Sequence, residues 1–537
     1  MSAGKRSSLV SGRTRHGPRA TIDTVVRRAN TSVLHAVGGL VRNAPFPALI
    51  HLYGLIPLAV VAALIALAPT DPHDFWWHLR VGRLVSETGV PRTNMFAWTV
   101  PPDQPFVYAA WLSDWLFYQM YLLCGLQGPV LARNILGTLA FALVLLEAWR
   151  RSGSWRLAGL AVFLAGMMTI NNLTTRPQNW AWAPFMAYAI ILGAYATKQV
   201  GWRALLALPP LMVFWVNAHG SFVLGLALLA LYGIGEGTRA LLRQPDAPDL
   251  GRLAALAAAA LATLAATLVN PIGVDIFAYV VKLLTDPPSQ GLVNEWQPPT
   301  VRSLAGQAFF LATLLLIAAL ALGRRRLNLT DTLLLCAFLW LAWSGMRYVV
   351  WFGMLAMPML AQCLARPAPR VAAQRGDLFA AIMALALILG IGALQPPFKS
   401  SLNLPDSYRG LFADVPGAPL IYSADTPIGA AAYLRDHPGG RLFNDMAYGS
   451  YLIWALPAPQ VFVDTRVELY PLALWEDYLA LGEARAYRTL IEQYGIDRAL
   501  LSRSRQAPLV AALAADPSWV IEYEDRYSIL YRRVGER

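Results

Sequence analysis

The sequence predicts a polytopic α-helical membrane protein with a C-terminal extracytoplasmic α/β domain, and three observations carry that reading. The chain of 537 residues is 56% hydrophobic but only 14% charged, against the roughly 25% charged residues usual for soluble domains. Its apolar residues are gathered in long runs separated by short basic loops. After residue 395 the composition changes, with Pro and Gly punctuation and ordinary charge density. A soluble fold has no means of hiding so much apolar surface, and the mean hydropathy of +0.45 agrees. The 18 Trp and 21 Tyr fit the same solvent, because both rings collect where hydrocarbon meets water.

The first element is the tail of residues 1–46, in which Lys5, Arg6, Arg13, Arg15, Arg19, Arg27, Arg28 and Arg42 face the single acid Asp23. Short basic segments stay in the cytoplasm, so this tail is expected inside, with its charge available to anionic lipid. No small-residue cleavage site precedes the apolar run next in the chain, which favours a retained first span over a removed signal. Apolar runs then fall near 47–68, 129–147, 157–171, 180–197, 203–217, 221–235, 253–270, 304–323, 331–345, 348–364 and 377–394, predicting about 11 spans across residues 47–395. Runs 203–217 and 331–345 are short of the ~20 residues that a spanning helix prefers and read as tilted, kinked or re-entrant.

Threading the chain from an inside N-terminus puts Arg150, Arg151 and Arg156, then Lys198 and Arg203, then Arg239, Arg243 and Arg252 on the cytoplasmic side. Arg324 to Arg326 and Arg366, Arg370 and Arg375 come after them. Every short basic loop therefore lies inside, as the charge bias of membrane proteins requires. The net charge of +12 is thus topological rather than a nucleic-acid face. Cys124, Cys336 and Cys363 lie in or beside apolar runs, which excludes a disulfide framework or a clustered Cys metal site.

An odd number of spans places residues 396–537 outside. Short β-rich runs at 441–445, 460–465, 497–501, 519–523 and 528–532 alternate with helical stretches such as 472–494. That alternation predicts an α/β domain of about 140 residues, a size able to hold its own core.

The same threading collects polar motifs on the outer face. The first outer loop, 69–128, carries Asp71-Pro-His-Asp-Phe-Trp-Trp-His-Leu-Arg80 and then Trp111, Asp114 and Trp115 in an interfacial helix. Later outer turns hold Arg176-Pro-Gln178, Trp215 to Gly220, Asn270-Pro-Ile-Gly273, Asn294-Glu-Trp-Gln297 and Gly345-Met-Arg-Tyr348. For Asn270 to Gly273 and His219-Gly220, turn chemistry is the favoured reading. Arg176 and Arg347 differ, because an arginine near hydrocarbon on the outer side is costly unless it meets an anion.

Asp71 and Asp74 are three apart, so on a helix start they share a face. Either is then a helix cap, a proton acceptor, or one ligand of a divalent cation such as Mg or Mn. Trp76 and Trp77 beside them, with His78, suggest walls for a sugar ring. His78 and His219 are donors for phosphate or sugar, although a lone membrane histidine more often bonds helix to helix. Glu295 reads equally as a sugar or metal contact and as a solvated loop acid. Asp464, Arg466 and Glu468 alternate along a strand end, so they share one side, facing a cavity or forming a surface ion pair.

Together these residues resemble the GT-C superfamily, membrane-embedded glycosyltransferases that take sugars from polyprenyl-phosphate carriers. Asp74-Phe-Trp-Trp-His-Leu79 with Gly82, Gly89 and Pro91 is similar to the first outer loop of a bacterial, largely uncharacterised branch. Arg176-Pro-Gln178, Trp215 to Gly220, Asn270-Pro271 and Glu295-Trp296 resemble it in order and spacing. So do Phe443-Asn-Asp445, Gly449, Tyr451-Leu-Ile453, Val463-Asp-Thr-Arg466 and Glu468-Leu-Tyr470. Branch members often show Asp-Pro-Asp, whereas here His73 intervenes, which leaves open which acid matches the catalytic one.

The resemblance implies a bacterial inner-membrane enzyme that transfers a sugar with inversion from a lipid-phosphate donor to a lipid or glycan hydroxyl. It implies Asp74 or Asp71 as base, with Arg176, Arg347 and His219 at the donor phosphate. Trp76, Trp77, His78, Glu295, Asp464 and Arg466 are then the candidates for sugar and acceptor. A glycan polymerase or ligase of related fold, a transporter and a non-enzymatic scaffold are the rival readings. A transporter typically has repeated halves and midplane charges, and neither is evident in the sequence.

Overall fold

The computed structural model describes residues 47–323, 325–366, 376–415 and 419–534. The basic tail and the expectations placed on it lie outside these residues, as do Arg324, Arg370 and Arg375. The described residues divide into two units. In the small one, residues 47–52 with 376–386, the Asp377 N–H donates to the Pro47 carbonyl at 3.2 Å. The large unit holds the other described residues, and with them every polar motif assigned to the outer face.

Each apolar run carries a helix. Among the described residues five are long and apolar enough to cross a membrane: Leu49–Leu67, Gln127–Ser152, Gly220–Leu241, Leu304–Leu322 and Met346–Leu364. Shorter apolar helices are Trp155–Met168, Trp202–Ala218, Leu250–Ala266, Leu329–Ser344 and Leu378–Ala393. Run 203–217 is broken, as its length suggested, with a 3-10 turn over Trp202–Ala207 before the α-helix Leu208–Ala218. Polar residues start several helices by taking up free backbone N–H groups. Asp249 accepts from Arg252 N at 2.7 Å and Asn328 from Asp331 N at 2.7 Å.

The basic loops meet at one end of the helices. Glu147 accepts from both Arg150 and Arg151 at 2.6 Å, Arg151 pairs with Asp331 at 3.0 Å, and Arg239 pairs with Glu236 at 2.9 Å. Thr330 ties the last pair in through a 2.7 Å hydrogen bond to Glu236. The ends of helices far apart in sequence are thereby cross-linked by charge.

At the other end stand the first outer loop and the C-terminal segment. The loop forms two helices, Phe75–Thr88 and Trp111–Cys124, packed closely on each other. The C-terminal segment forms a four-stranded sheet in the order β1 (Leu442–Asn444), β2 (Arg498–Ser502), β4 (Ser528–Arg533), β3 (Trp519–Glu524). β1 and β2 are parallel, and the other neighbours antiparallel. The expected helical stretch 472–494 is two helices, Leu472–Gly482 and Tyr487–Tyr494, separated where Ala484 and Ala486 take positive φ.

Two expectations change. Residues 460–465 form no strand of the sheet. They run beside the first outer loop, with Trp98 N donating to the Val461 carbonyl at 3.1 Å and Val461 N to Phe96 at 3.0 Å. Asn444 holds them from the other side, accepting from Phe462 N and donating to the Val463 carbonyl, each at 2.8 Å. Nor is the hydrophobic core the C-terminal segment's own. Phe75, Trp76, Phe96, Phe106 and Phe117 share one buried cluster with Phe443, Tyr448, Val463, Trp475, Leu500 and Leu530.

Asp464 and Arg466 lock this joint. Both side chains are 0% exposed and pair at 2.7 Å. Tyr470 donates to Asp464 at 2.6 Å, Arg466 donates to Tyr108 of the outer loop at 3.2 Å, and its guanidinium lies over the Phe96 ring. Replacing Arg466 with Met leaves Asp464 buried without its counter-charge, which costs about 3–5 kcal/mol. The expected result is a large fall in thermal midpoint, while Asp464→Leu/Arg466→Met loses clearly less than the single variant.

Candidate functional site

Asp74 stands at the N-cap position of helix Phe75–Thr88, yet its side chain makes no capping hydrogen bond. Its carboxylate faces Arg176 instead, with Oδ2 3.4 Å from Nε. Arg176 lies in the turn before helix Asn179–Ala196, where its N–H donates to the Asn179 side chain at 2.9 Å. Its Nη1 donates to both oxygens of Glu295, at 2.6 and 2.8 Å. One guanidinium therefore joins acids from two loops that are 221 residues apart in sequence, Asp74 and Glu295. The cap reading for Asp74 and the solvated-acid reading for Glu295 give way to this bridge.

Glu295 sits in a 3-10 turn, Asn294–Trp296, that meets the turn before helix Val349–Leu364. Met346 N donates to the Gln297 carbonyl at 2.8 Å, and the Arg347 guanidinium lies 4.3 Å over the Trp296 ring. His219 ends helix Leu208–Ala218. Its Nδ1 accepts from the Ser221 N–H at 3.1 Å. Burial first, then the positive charges of Arg347, His78 and Arg176, push its pKa down to about 3. A neutral ring whose Nδ1 accepts carries its proton on Nε2, so His219 is a fixed neutral donor beside two arginines.

The two acids of the first loop are set apart electrostatically. Burial works to raise the Asp74 pKa, but the charges of Arg176 and His78 and a hydrogen bond from Thr465 outweigh it and hold it below the ordinary range. Burial raises that of Asp71, opposed by His73 and Arg176 and reinforced by Asp425. Such a split between neighbouring acids is common where they have different tasks. Asp71 is anchored through its backbone, whose carbonyl accepts from Trp76 Nε1 at 2.9 Å.

Several candidates are placed otherwise than expected. Trp76 is 0% exposed, stacked on Tyr422 with centroids 5.3 Å apart, so it offers no face to a sugar. Trp77 is buried against the His78 ring and donates to Thr465 at 3.1 Å. Asp464 and Arg466 are sealed in the joint with Tyr108 and Phe96. Asn270, by contrast, is the turn residue expected, its side chain bridging the carbonyls of Thr267 and Gly273 at 2.7 and 2.9 Å.

Among the described residues no group of three or more His, Cys, Asp and Glu is arranged to hold a metal ion. Asp71 and Asp74 supply two carboxylates, as many as a Mg ion usually takes from protein beside waters and substrate phosphate oxygens. The cation beside Asp74 is Arg176. No step is assigned to a divalent ion.

The sequence offers Glu468 only as one of an alternating set and gives Asp114 no role beyond an interfacial helix. Glu468 is half-buried near Asp286 and Asp74, and desolvation first raises its pKa. Tyr279 of helix Asp275–Thr285 lies beside it. Its alternation with Asp464 and Arg466 was the available signal. For Asp114 there was none, since its partner His78 lies 36 residues away on another helix.

No protein-family model and no curated protein matches the chain. Among solved structures it is similar to ArnT from Cupriavidus metallidurans in the apo state, at 17% identity and TM-score 0.50 over 89% of this chain and 96% of that one. It has a GT-C fold. ArnT from the same organism bound to undecaprenyl phosphate matches at 16% identity and TM-score 0.49, over 90% of this chain and 97% of that one. The oligosaccharyltransferase AglB from Archaeoglobus fulgidus, with an inhibitory peptide and a dolichol-phosphate, matches at 12% and 0.48, over 91% and 75%. At these identities the likeness is one of fold, and within the GT-C fold the chain's own side chains must supply the chemistry.

Lysine has one ammonium where Arg176 has a fork, so it cannot hold both Glu295 oxygens and Asp74 at once. In Arg176→Lys, amide hydrogen exchange over residues 294–297 and 345–348 is expected to accelerate about tenfold or more, as a loosened turn opens more often. Unchanged exchange there counts against the bridge. Because the folded-state pKa of Asp74 is depressed, its stabilising contribution is complete above the unfolded value of about 4. Its share of stability is expected to hold steady from pH 7 to 5 and to fall only below about pH 4, read as the difference in thermal midpoint from Asp74→Asn.

Proposed function

We propose that this protein is a membrane glycosyltransferase that moves a sugar from a polyprenyl-phosphate carrier to an acceptor hydroxyl, with inversion. The observation that carries the reading is the chain Asp74, Arg176, Glu295 beside Arg347 and the Nε2–H of His219. An ionised carboxylate, two guanidiniums and a neutral imidazole come together from the ends of several helices. Displacement at an anomeric carbon needs those two parts: a base for the incoming hydroxyl and positive charge for the departing phosphate.

The acceptor oxygen attacks the anomeric carbon as the bond to the phosphate oxygen breaks. The hydroxyl proton passes to Asp74, and the leaving phosphate monoester takes the bonding pair. Arg347 and His219 are the donors free for it, with Arg176 shared between phosphate and the two acids. Arg176 keeps Asp74 ionised at neutral pH, ready to accept. Asp71, the more basic carboxylate, is the second candidate base. The fold supports the carrier class, since ArnT has been captured with undecaprenyl phosphate.

The chain threads the bacterial inner membrane in eleven spans, with the N-terminus cytoplasmic and the C-terminal segment outside. The pairing of basic loops at the end opposite the site supports this orientation. The site's charges gather at helix ends rather than at mid-depth, which argues against a transporter.

Purified protein incubated with labelled polyprenyl-phosphate sugars is expected to release sugar, and Asp74→Asn to slow release by about 10²–10⁴-fold. Arg347→Ala is expected to weaken donor use at least as much as it slows the chemical step. Normal turnover by Asp74→Asn together with loss in Asp71→Asn transfers the base role to Asp71. Normal turnover in both variants removes the acid base altogether.

A further inference from the structure

We infer that Asp114 and His78 form a pair that fixes His78 as a charged donor to the phosphate of the lipid carrier, with Asp114 its positioning residue. This rests on the proposed reading of the site.

The pair exists because two helices approach unusually closely. A Cβ on Gly82 would lie 2.0 Å from the Asp114 carbonyl oxygen, so only glycine lets helix Phe75–Thr88 sit this near to helix Trp111–Cys124. His78 is one turn before Gly82 on the same face, and the approach brings its Nδ1 to 2.7 Å from Asp114 Oδ1. Asp114 is 1% exposed, and both of its oxygens are closed to solvent. Among the described residues His78 is its ion-pair partner. Burial raises the Asp114 pKa, and the charge and hydrogen bond of His78 act against that rise, so carboxylate and imidazolium each stabilise the charged form of the other.

Two further groups act in the same direction. The Trp77 ring stacks on the His78 ring with centroids 3.6 Å apart, and an indole face attracts an imidazolium. Asp74 precedes His78 by one turn, and its carboxylate and the His78 ring feel each other's charge.

With Nδ1 committed to Asp114, the charged ring has one donor left, Nε2–H, on the opposite edge. The groups near enough to His78 to feel its charge are Asp74 and His219, the same residues that border Arg176 and Arg347. His78 thus completes a set of four donors, two guanidiniums and two imidazoles, for one phosphate. Asp114 touches no substrate and acts only through the ring it holds.

The test uses full-length protein in lipid nanodiscs and measures the Kd for undecaprenyl phosphate. His78→Gln and Asp114→Asn are each expected to weaken binding by about tenfold, the loss of one charge-assisted hydrogen bond. The double variant is expected to bind within about twofold of His78→Gln alone, because Asp114 acts through His78. Wild-type affinity in His78→Gln overturns the proposal, as do fully additive losses in the double variant or a wild type that does not bind the lipid.

If Asp114→Asn cannot be recovered folded, His78→Arg decides. It is expected to bind within about threefold of wild type by keeping a cation there, and a loss equal to that of His78→Gln overturns the proposal. Sugar release on the same samples separates the two ideas. A wild type that binds the lipid but transfers no sugar removes the transferase reading and leaves the pair to be judged by affinity. A wild type that transfers sugar while His78→Gln binds and turns over normally removes the pair alone.

Discussion

A guanidinium at a membrane boundary is stable where anions meet it, and Arg176 takes two of them. Asp74 comes from the first outer loop and Glu295 from a turn more than two hundred residues later, and each is held by the same side chain. That bridge sets the rest of the site. It turns the Asp74 carboxylate away from helix capping and keeps it ionised. It also fixes the turn carrying Trp296, over which Arg347 lies. Through Asp74 it aligns the helix that bears His78. Arg347 and the neutral His219 ring border this bridge on the side of Trp296.

The frame that holds these charges is built from both ends. Glu147, Glu236 and Asp331 clamp the basic loops together at the far end of the helices. At the near end the first outer loop and the C-terminal segment fold as one body. Asn444, Asp445, Asp464 and Arg466 commit their polar groups to backbone, helix cap and buried pair. Motif residues in the C-terminal segment are thus mainly structural, and the proposed chemistry rests on those in the outer turns. Glu468 is the exception, reaching from the C-terminal segment toward Asp74.

Much of this was legible in the sequence, for reasons that particular residues make plain. Apolar runs are local patterns, so the helices fell where the runs did. The charge bias of arginines likewise separated Arg150 and Arg151 from Arg176 and Arg347 correctly, because burial cost acts on each residue alone. Four of the five β-rich runs became strands. The fifth, 460–465, paired with residues 96–98, since its backbone partners come from the other end of the chain and leave no trace in composition. Trp76 read as a sugar wall from its neighbours, yet Tyr422 covers it. The His78–Asp114 pair depended on the missing side chain of Gly82, a packing effect that spacing does not reveal.

The central claim is that these outer turns build a site for the phosphate of a polyprenyl carrier. The most direct measurement is a cryo-EM structure of the protein in nanodiscs with undecaprenyl phosphate. The phosphate is expected within hydrogen-bond distance of Arg347 and of His219 Nε2, close to Arg176 and on the side away from Asp114. Phosphate density among Arg150, Arg151 and Arg239 at the opposite helix ends, with the outer turns empty, contradicts the account.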